Sequence, residues 1–323
     1  MQRGASCVAW LLAFTGCEAQ QNSNALGDYR DRQSGTLRQA VCLVQPPAQN
    51  VCASSAATTI KLPPNVQLAD VTLLATDVME LRDVTVPGTV VSLGWADTVV
   101  YSGATIGNIY SRGLVDLRSG ATVTGFIKTT TPVIVQGSAN YNPSLVNTNT
   151  PFDPTTQVQL CFPEPSGIDQ SPNVYVDVNQ TQSLAPGVYN DVNLRNYAQL
   201  VLSPGLYWFD TLQVEPSAFF KVNTVNCTSN CSVVVNVRGQ ISPALRGSVQ
   251  PAGSNFLLNY KGTQQVLLNA TFDGFIVAMN ADLRINNNEP HRGAYFAKRV
   301  YVDAGQTITA RAFPLETFQH WQP

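Results

Sequence analysis

The sequence predicts an all-β chain wound into a single-stranded, right-handed parallel β-helix with about 17–19 residues per coil. Three observations predict it. Motifs recur at nearly fixed spacing. Gly103, Gly120 and Gly137 stand 17 residues apart, in the contexts SGAT, SGAT and QGSA. PGVY at 186–189 returns as PGLY at 204–207, an offset of 18, and FDGFIVA at 272–278 is echoed by HRGAYFA at 291–297, an offset of 19. Next, short runs rich in Val, Ile and Thr alternate apolar with polar residues and are punctuated by glycine. Finally, no 12-residue stretch after the leader has helical periodicity, which argues against a βαβ fold. Strands alone could build a sandwich or a barrel. A sequence motif repeating at one offset is instead the mark of stacked coils, where each corner and each inward position recurs in the same environment. The right hand is inferred from the variable offset, because strict hexapeptide coils of the other hand keep a more rigid count.

The chain begins with a leader, residues 1–16. Arg3 supplies its positive charge and residues 5–14 (ASCVAWLLAF) its apolar stretch, which is too short to span a bilayer comfortably. The segment FTGC (14–17) places a small residue before Cys17, as in a bacterial lipobox, although Phe14 replaces the usual Leu. Cys17 is therefore the expected lipidation site, with ordinary cleavage near Ala19 as the alternative. Residues 17–58 read as a polar tether containing a loop between Cys42 and Cys52. Residues 59–140 carry the first series of coils. Residues 141–173 hold six prolines and break the rhythm, so they read as an excursion outside the strands. Residues 174–313 carry the second series, and 314–323 a terminal cap that covers a sheet edge. With about 18 residues per coil this gives roughly a dozen coils and a rod of about 55–60 Å.

Composition bounds the function. Only 12% of the 323 residues are charged, the net charge is −2 and no Lys/Arg run appears, so no nucleic-acid partner is expected. Seven cysteines fit an oxidising compartment. Cys42 with Cys52 and Cys227 with Cys231 are candidate local disulfides, which leaves Cys161 over. A structural zinc site is disfavoured, because His291 and His320 lie in neither cysteine cluster.

The segments LAPGVYNDVNLRNYAQLVLSPGLYWFDTLQV (184–214), FDGFIVAMNADLRI and RGAYFAKRVYVDAGQTI, with SGATIGNIYSRGLVDLRSGATVTGFI in the first half, resemble an uncharacterised family of bacterial secreted β-solenoid proteins with PG-x-Y coils. The resemblance covers about 220 residues. Members occur in surface and pilus-associated contexts, which implies an adhesive or envelope role by analogy.

The expected function is a non-enzymatic cell-envelope or surface lipoprotein for adhesion, scaffolding or attachment to glycans or proteins, touching the membrane only through Cys17. Its expected location is the outer membrane or cell surface, alternatively the periplasm or the medium. The competing reading is a carbohydrate-active β-helix enzyme, a polysaccharide lyase or hydrolase. It requires acidic and basic groups converging in one groove. Asp191, Asp210, Asp273 and Arg195 are its candidates. Tyr207, Trp208 and Phe209 are candidate ligand-binding rings, since strand alternation turns at least one outward. No cofactor is expected. Calcium is the exception considered, with Asn280, Asp282 and Glu289 as hard oxygen donors. Ice or mineral binding needs threonine repeated coil after coil. Only TTTP at 129–132 suggests it, and no repeating threonine is apparent along the chain.

Overall fold

A computed structural model describes residues 28–30, 37–39, 57–148, 152, 156–223, 231–245, 248–249, 255–303, 305–315 and 318. The chain divides into two compact units, 1–51 and 52–323. In the first, Asp28–Arg30 pairs antiparallel with Leu37–Gln39, inside the segment expected to be a tether.

The second unit is a β-solenoid of parallel stacked coils, about 19 residues each and about 11 turns. Each coil contributes three strands, so the stack has three faces. In the best-formed coil Gly187–Leu194 supplies two of them, bending between, and Gln199–Leu202 the third. Inward positions are apolar and stack on their equivalents. Val192, Leu212 and Leu194, Val214 pair in this way, as do Leu283, Val300 and Met79. These residues form one continuous buried core along the axis.

The order of stacking differs from the order of the chain. His291–Val302, in the last coil of the second series, pairs in parallel with Val71–Leu81, the first strand of the first series, as Tyr295↔Leu73 through Val302↔Leu81. Gln306 and Thr307 pair with Val84 and Thr85. The stack is continuous, but it runs 174→310 and then 71→147. Its two ends are the coil at 174–184 and the coil at 133–147.

This order gives the proline-rich segment a task. It must return the chain from the far end of the stack to the near end. The segment is not wholly outside strands, as expected. Val146–Asn147 makes the last rung on Ile127–Thr129, and Thr156–Cys161 pairs antiparallel with Ala57–Leu62. Residues 57–62 therefore belong to this covering ribbon and not to a first coil. The ribbon, the short 3-10 turns Leu68–Asp70 and Ile168–Gln170, and Phe313 and Phe318 share a second buried core with Leu74, Val91, Trp208, Val234, Leu257, Phe275, Val277 and Phe296. These last eight side chains point outward from one solenoid face, here called the covered face. Burial on both sides explains its unbroken apolar runs, VVV at 233–235 and FIVA at 275–278.

The glycine period marks a corner. Gly103 and Gly120 lie at φ +79 and +82, each third in a β-turn closed by Ala104 N–H to Tyr101 O and by Ala121 N–H to Arg118 O. Positive φ at that place alone is the signature of a type II turn. Tyr197 and Ser217 hold it in other coils, followed by buried Ala198 and Ala218. The 19-residue echo is also structural, because Phe272–Ala278 pairs residue for residue with His291–Ala297. The Pro-Gly echo is not a register repeat. Gly187 pairs with Tyr207 and Tyr189 with Phe209, an offset of 20. Its cause is local: the Tyr189 hydroxyl donates to Ala185 O at 2.8 Å and that of Tyr207 to Ser203 O at 2.7 Å, each closing its own Pro-Gly turn.

Candidate functional site

Each candidate catalytic residue is engaged with a neighbouring coil or the C-terminal segment. Asp191 accepts from the Thr211 hydroxyl at 2.5 Å. Asp210 accepts from Arg238 at 2.7 Å. Asp273 faces Arg311 at 3.3 Å. Arg195 lies 3.6 Å from Glu215. Asp191 is paired in register with Thr211, the residue after Asp210 on the neighbouring coil, and each of the two carboxylates is held by its own partner.

Tyr207, Trp208 and Phe209 are all buried. Alternation turns Trp208 outward as expected, but it lies in the second core, with the Lys261 ammonium 4.9 Å from its ring centre. Burial lowers the Lys261 pKa, with Glu164 opposing. Burial raises the Tyr207 hydroxyl well above its ordinary range. None of the three rings offers a face to a ligand from solvent.

A groove that the sequence did not disclose lies on another face. Glu80, Arg82, Gln265, Asp282, Arg284, Tyr301 and Asp303 line a cleft of about 390 Å³. Three carboxylates and two guanidinium groups thus share one groove, drawn together by the junction of the two coil series. Four of them, Glu80, Arg82, Arg284 and Asp303, are paired among themselves, and Asp282 is paired with Arg299 outside the lining. Arg284 reaches Asp303 at 2.5 Å, Arg82 reaches Glu80 at 2.8 Å and Asp303 at 3.7 Å, and Arg299 lies 3.8 Å from Asp282. The hydrogen bond to Glu80 raises the Arg82 pKa, and burial raises that of Tyr301.

These groups belong to a longer column at the edge of the charged face. Asp303, Arg82, Tyr101, Arg118 and Gln136 each donate a backbone N–H to the preceding coil at the equivalent position. Arg82 lies 3.9 Å from the Tyr101 ring centre, and Arg118 donates to Gln136 at 3.2 Å. Exposed pairs of this kind contribute little each, about 0–1 kcal/mol. Their regular succession matches each coil to the next.

The third face carries an uncharged column. Thr307 pairs with Thr85, Thr85 with Thr105, Thr105 with Thr122, and Thr122 with Asn140. All five side chains are exposed or half-buried. Threonine does repeat coil after coil, contrary to the expectation from sequence. The repeat was hidden by unequal offsets, 20 and then 17 residues, and by the step from 307 to 85. The strand spacing sets the hydroxyls about 4.8 Å apart.

The calcium candidates are not brought together. Asn280 donates to Lys261 O, Asp282 faces Arg299, and Glu289 accepts from Thr271. Among the described residues no group of three or more His, Cys, Asp or Glu is placed to hold a metal ion. His291 is buried in the solenoid core. Its Nε2 lies 2.9 Å from Asn287 Oδ1, and burial lowers its pKa to about 4.

Cys161 and Cys231 are both disulfide-bonded. Cys161 is therefore not left over, as was expected. The two local bridges Cys42–Cys52 and Cys227–Cys231 can coexist only if Cys161 bonds Cys7 or Cys17. Those partners lie outside the described residues, as does the candidate lipidation site Cys17. No helix among the described residues is long and apolar enough to cross a membrane. Compared with known proteins, the chain matches no family model, no curated protein and no solved structure.

Proposed function

We propose that the protein is an exported, non-enzymatic β-solenoid of the cell envelope or surface, anchored through Cys17, that attaches to glycans by its threonine face. The threonine column carries this reading. A row of hydroxyls at one strand spacing can donate to and accept from a polymer that is itself periodic, and the absence of charge along the row suits a neutral polysaccharide. The resemblance to envelope-associated β-solenoid proteins supports the same direction. The test is retention of the full chain on a glycan array and on insoluble polysaccharides. Thr85→Glu with Thr105→Glu places two carboxylates on adjacent rungs and should lower retention at least 10-fold with far-UV circular dichroism unchanged. Equal retention by the double variant would sink the assignment of this face. An ice-recrystallisation assay on the same proteins asks whether the periodic partner is a solid lattice instead.

A second reading is favoured by one observation: the convergence of Glu80, Asp282 and Asp303 with Arg82, Arg284 and Tyr301 in one groove. It is a carbohydrate-active enzyme in which a carboxylate or Tyr301 moves a proton while a guanidinium group neutralises a uronate. Turnover of acidic polysaccharides, abolished by Glu80→Gln or Asp282→Asn, would displace the first reading.

A further inference from the structure

We propose that copies of this chain stack end to end, the coil at 133–147 of one copy docking in parallel on the strand edge at Val174–Val176 of the next. The partner is a second copy of this chain, and the observation that points to it is the joint already inside each molecule. There, His291–Val302 and Val71–Leu81 form a parallel ladder although they lie far apart in the chain. Two separately threaded stacks of this cross-section therefore dock end to end, with their inward columns and outward columns both continued.

Each outer end of the second unit has a strand edge that pairs on one side only among the described residues, although at the 174–184 end the inward Val174, Val176 and Leu184 are already buried. Among the described residues Val133–Val135 pairs only with Val115–Leu117, and Val174–Val176 only with Val192–Leu194. Stacked repeats need polar capping units to remain single, and natural sheet edges are guarded by charge. The 133–147 coil has neither. No charged residue occurs between Lys128 and Asp153. Its inward Val133, Ala139, Tyr141 and Val146 are only partly buried, and among the described residues no further coil lies over them. The large apolar side chains exposed among the described residues are Trp95, Ile134, Val135, Leu145, Tyr175, Val178 and Tyr197. All but Trp95 lie on the coils at or next to the two ends.

The register follows from the columns. Val133 continues the column of Val115, and Val174 begins that of Val192, so Val133 meets Val174, Ile134 meets Tyr175 and Val135 meets Val176. The charged-face column then passes from Gln136 to Asp177, an amide donor onto a carboxylate, and the threonine column from Asn140 to Thr181. The contact is head to tail, so it does not close on itself and adds copies in a line.

The test uses sedimentation of the full chain and of two variants, each altering one end at an exposed side chain. Val135→Asp sets a carboxylate on the open end of the core, and Tyr175→Asp sets one on the opposite edge. Wild type is expected to grow past the mass of a dimer as concentration rises. Each variant alone stays a monomer with unchanged circular dichroism. Their equimolar mixture stops at a dimer, because one intact joint remains. Wild type that stays monomeric at every concentration overturns the proposal. So does a variant that still assembles alone, or a mixture that forms no dimer.

Discussion

Gly293 lies at φ +148, and a Cβ built there would meet the Gly274 carbonyl oxygen at 1.7 Å on the coil below. Gly167 lies at φ +70 with nothing within 4 Å. Gly167→Ala should therefore lose only the backbone term, about 1–2 kcal/mol. Gly293→Ala also forces two coils apart, and its loss should exceed that of Gly167→Ala by about 2 kcal/mol or more in denaturant unfolding. His291 adds a pH term. Its folded pKa of about 4 lies below the ordinary value of about 6.5. Between those values the unfolded chain binds the proton and the folded chain does not. This contribution to stability is whole above pH 6.5 and is lost as pH falls to 4, amounting to about 3 kcal/mol at most. Phe272 occupies the paired position on the neighbouring coil, so His291→Phe has a fitting shape. The variant should show a flatter fall in unfolding free energy between pH 6.5 and 4 than wild type, as measured by urea titration. Gly103 and Gly120 were legible as corners because their role is set by their own φ. The burial of His291 was not, since a histidine after NNNEP reads as a surface turn until the neighbouring coils close over it.

The covered face shows what an element can hide. Side chains along its strands alternate inward and outward like those of the others, yet both sides are buried. Asn236 and Asn259 point outward beneath the ribbon and are fully buried. Asn259 donates to Asn236 Oδ1 at 2.6 Å, Asn236 donates to Tyr207 O at 3.3 Å, and Thr58 of the ribbon donates to Asn259 at 3.3 Å. Asn259→Ala strands the amide oxygen of Asn236 in an apolar setting and should cost about 1–3 kcal/mol in equilibrium unfolding. Replacing both residues by Leu removes the need and should cost less than the single change. Equal or greater loss in the double variant would show that the ladder is a net source of stability and not a satisfied liability. The strands of this face were readable from Val and Ile content. Their second buried side was not, because period-2 alternation cannot distinguish a solvated polar residue from one hydrogen-bonded under a distant ribbon. Residues 57–62 and 156–161 alternate as coil strands do, and only their antiparallel partner makes them a cover.

At the scale of the molecule, the two coil series are joined by a ladder and not by chain continuity. The linking chain passes through 149–155. A nick there, under reducing conditions, should leave the two pieces eluting together in native size-exclusion and separating only in denaturant; separation in native buffer would contradict the ladder between His291–Val302 and Val71–Leu81. The sequence by itself determined the class of fold, the near-constant coil length and the corners, because these follow from the alternation of Val and Ile and from positive φ at glycine, which each coil satisfies alone. The tertiary structure decided which coil lies on which. The stacking order 174→310→71→147 assembled the groove of Glu80 with Asp303 and the row from Thr307 to Thr122. Neither was visible beforehand, because parallel strands pair through space, and any two coils of one cross-section can dock however far apart they lie in the chain.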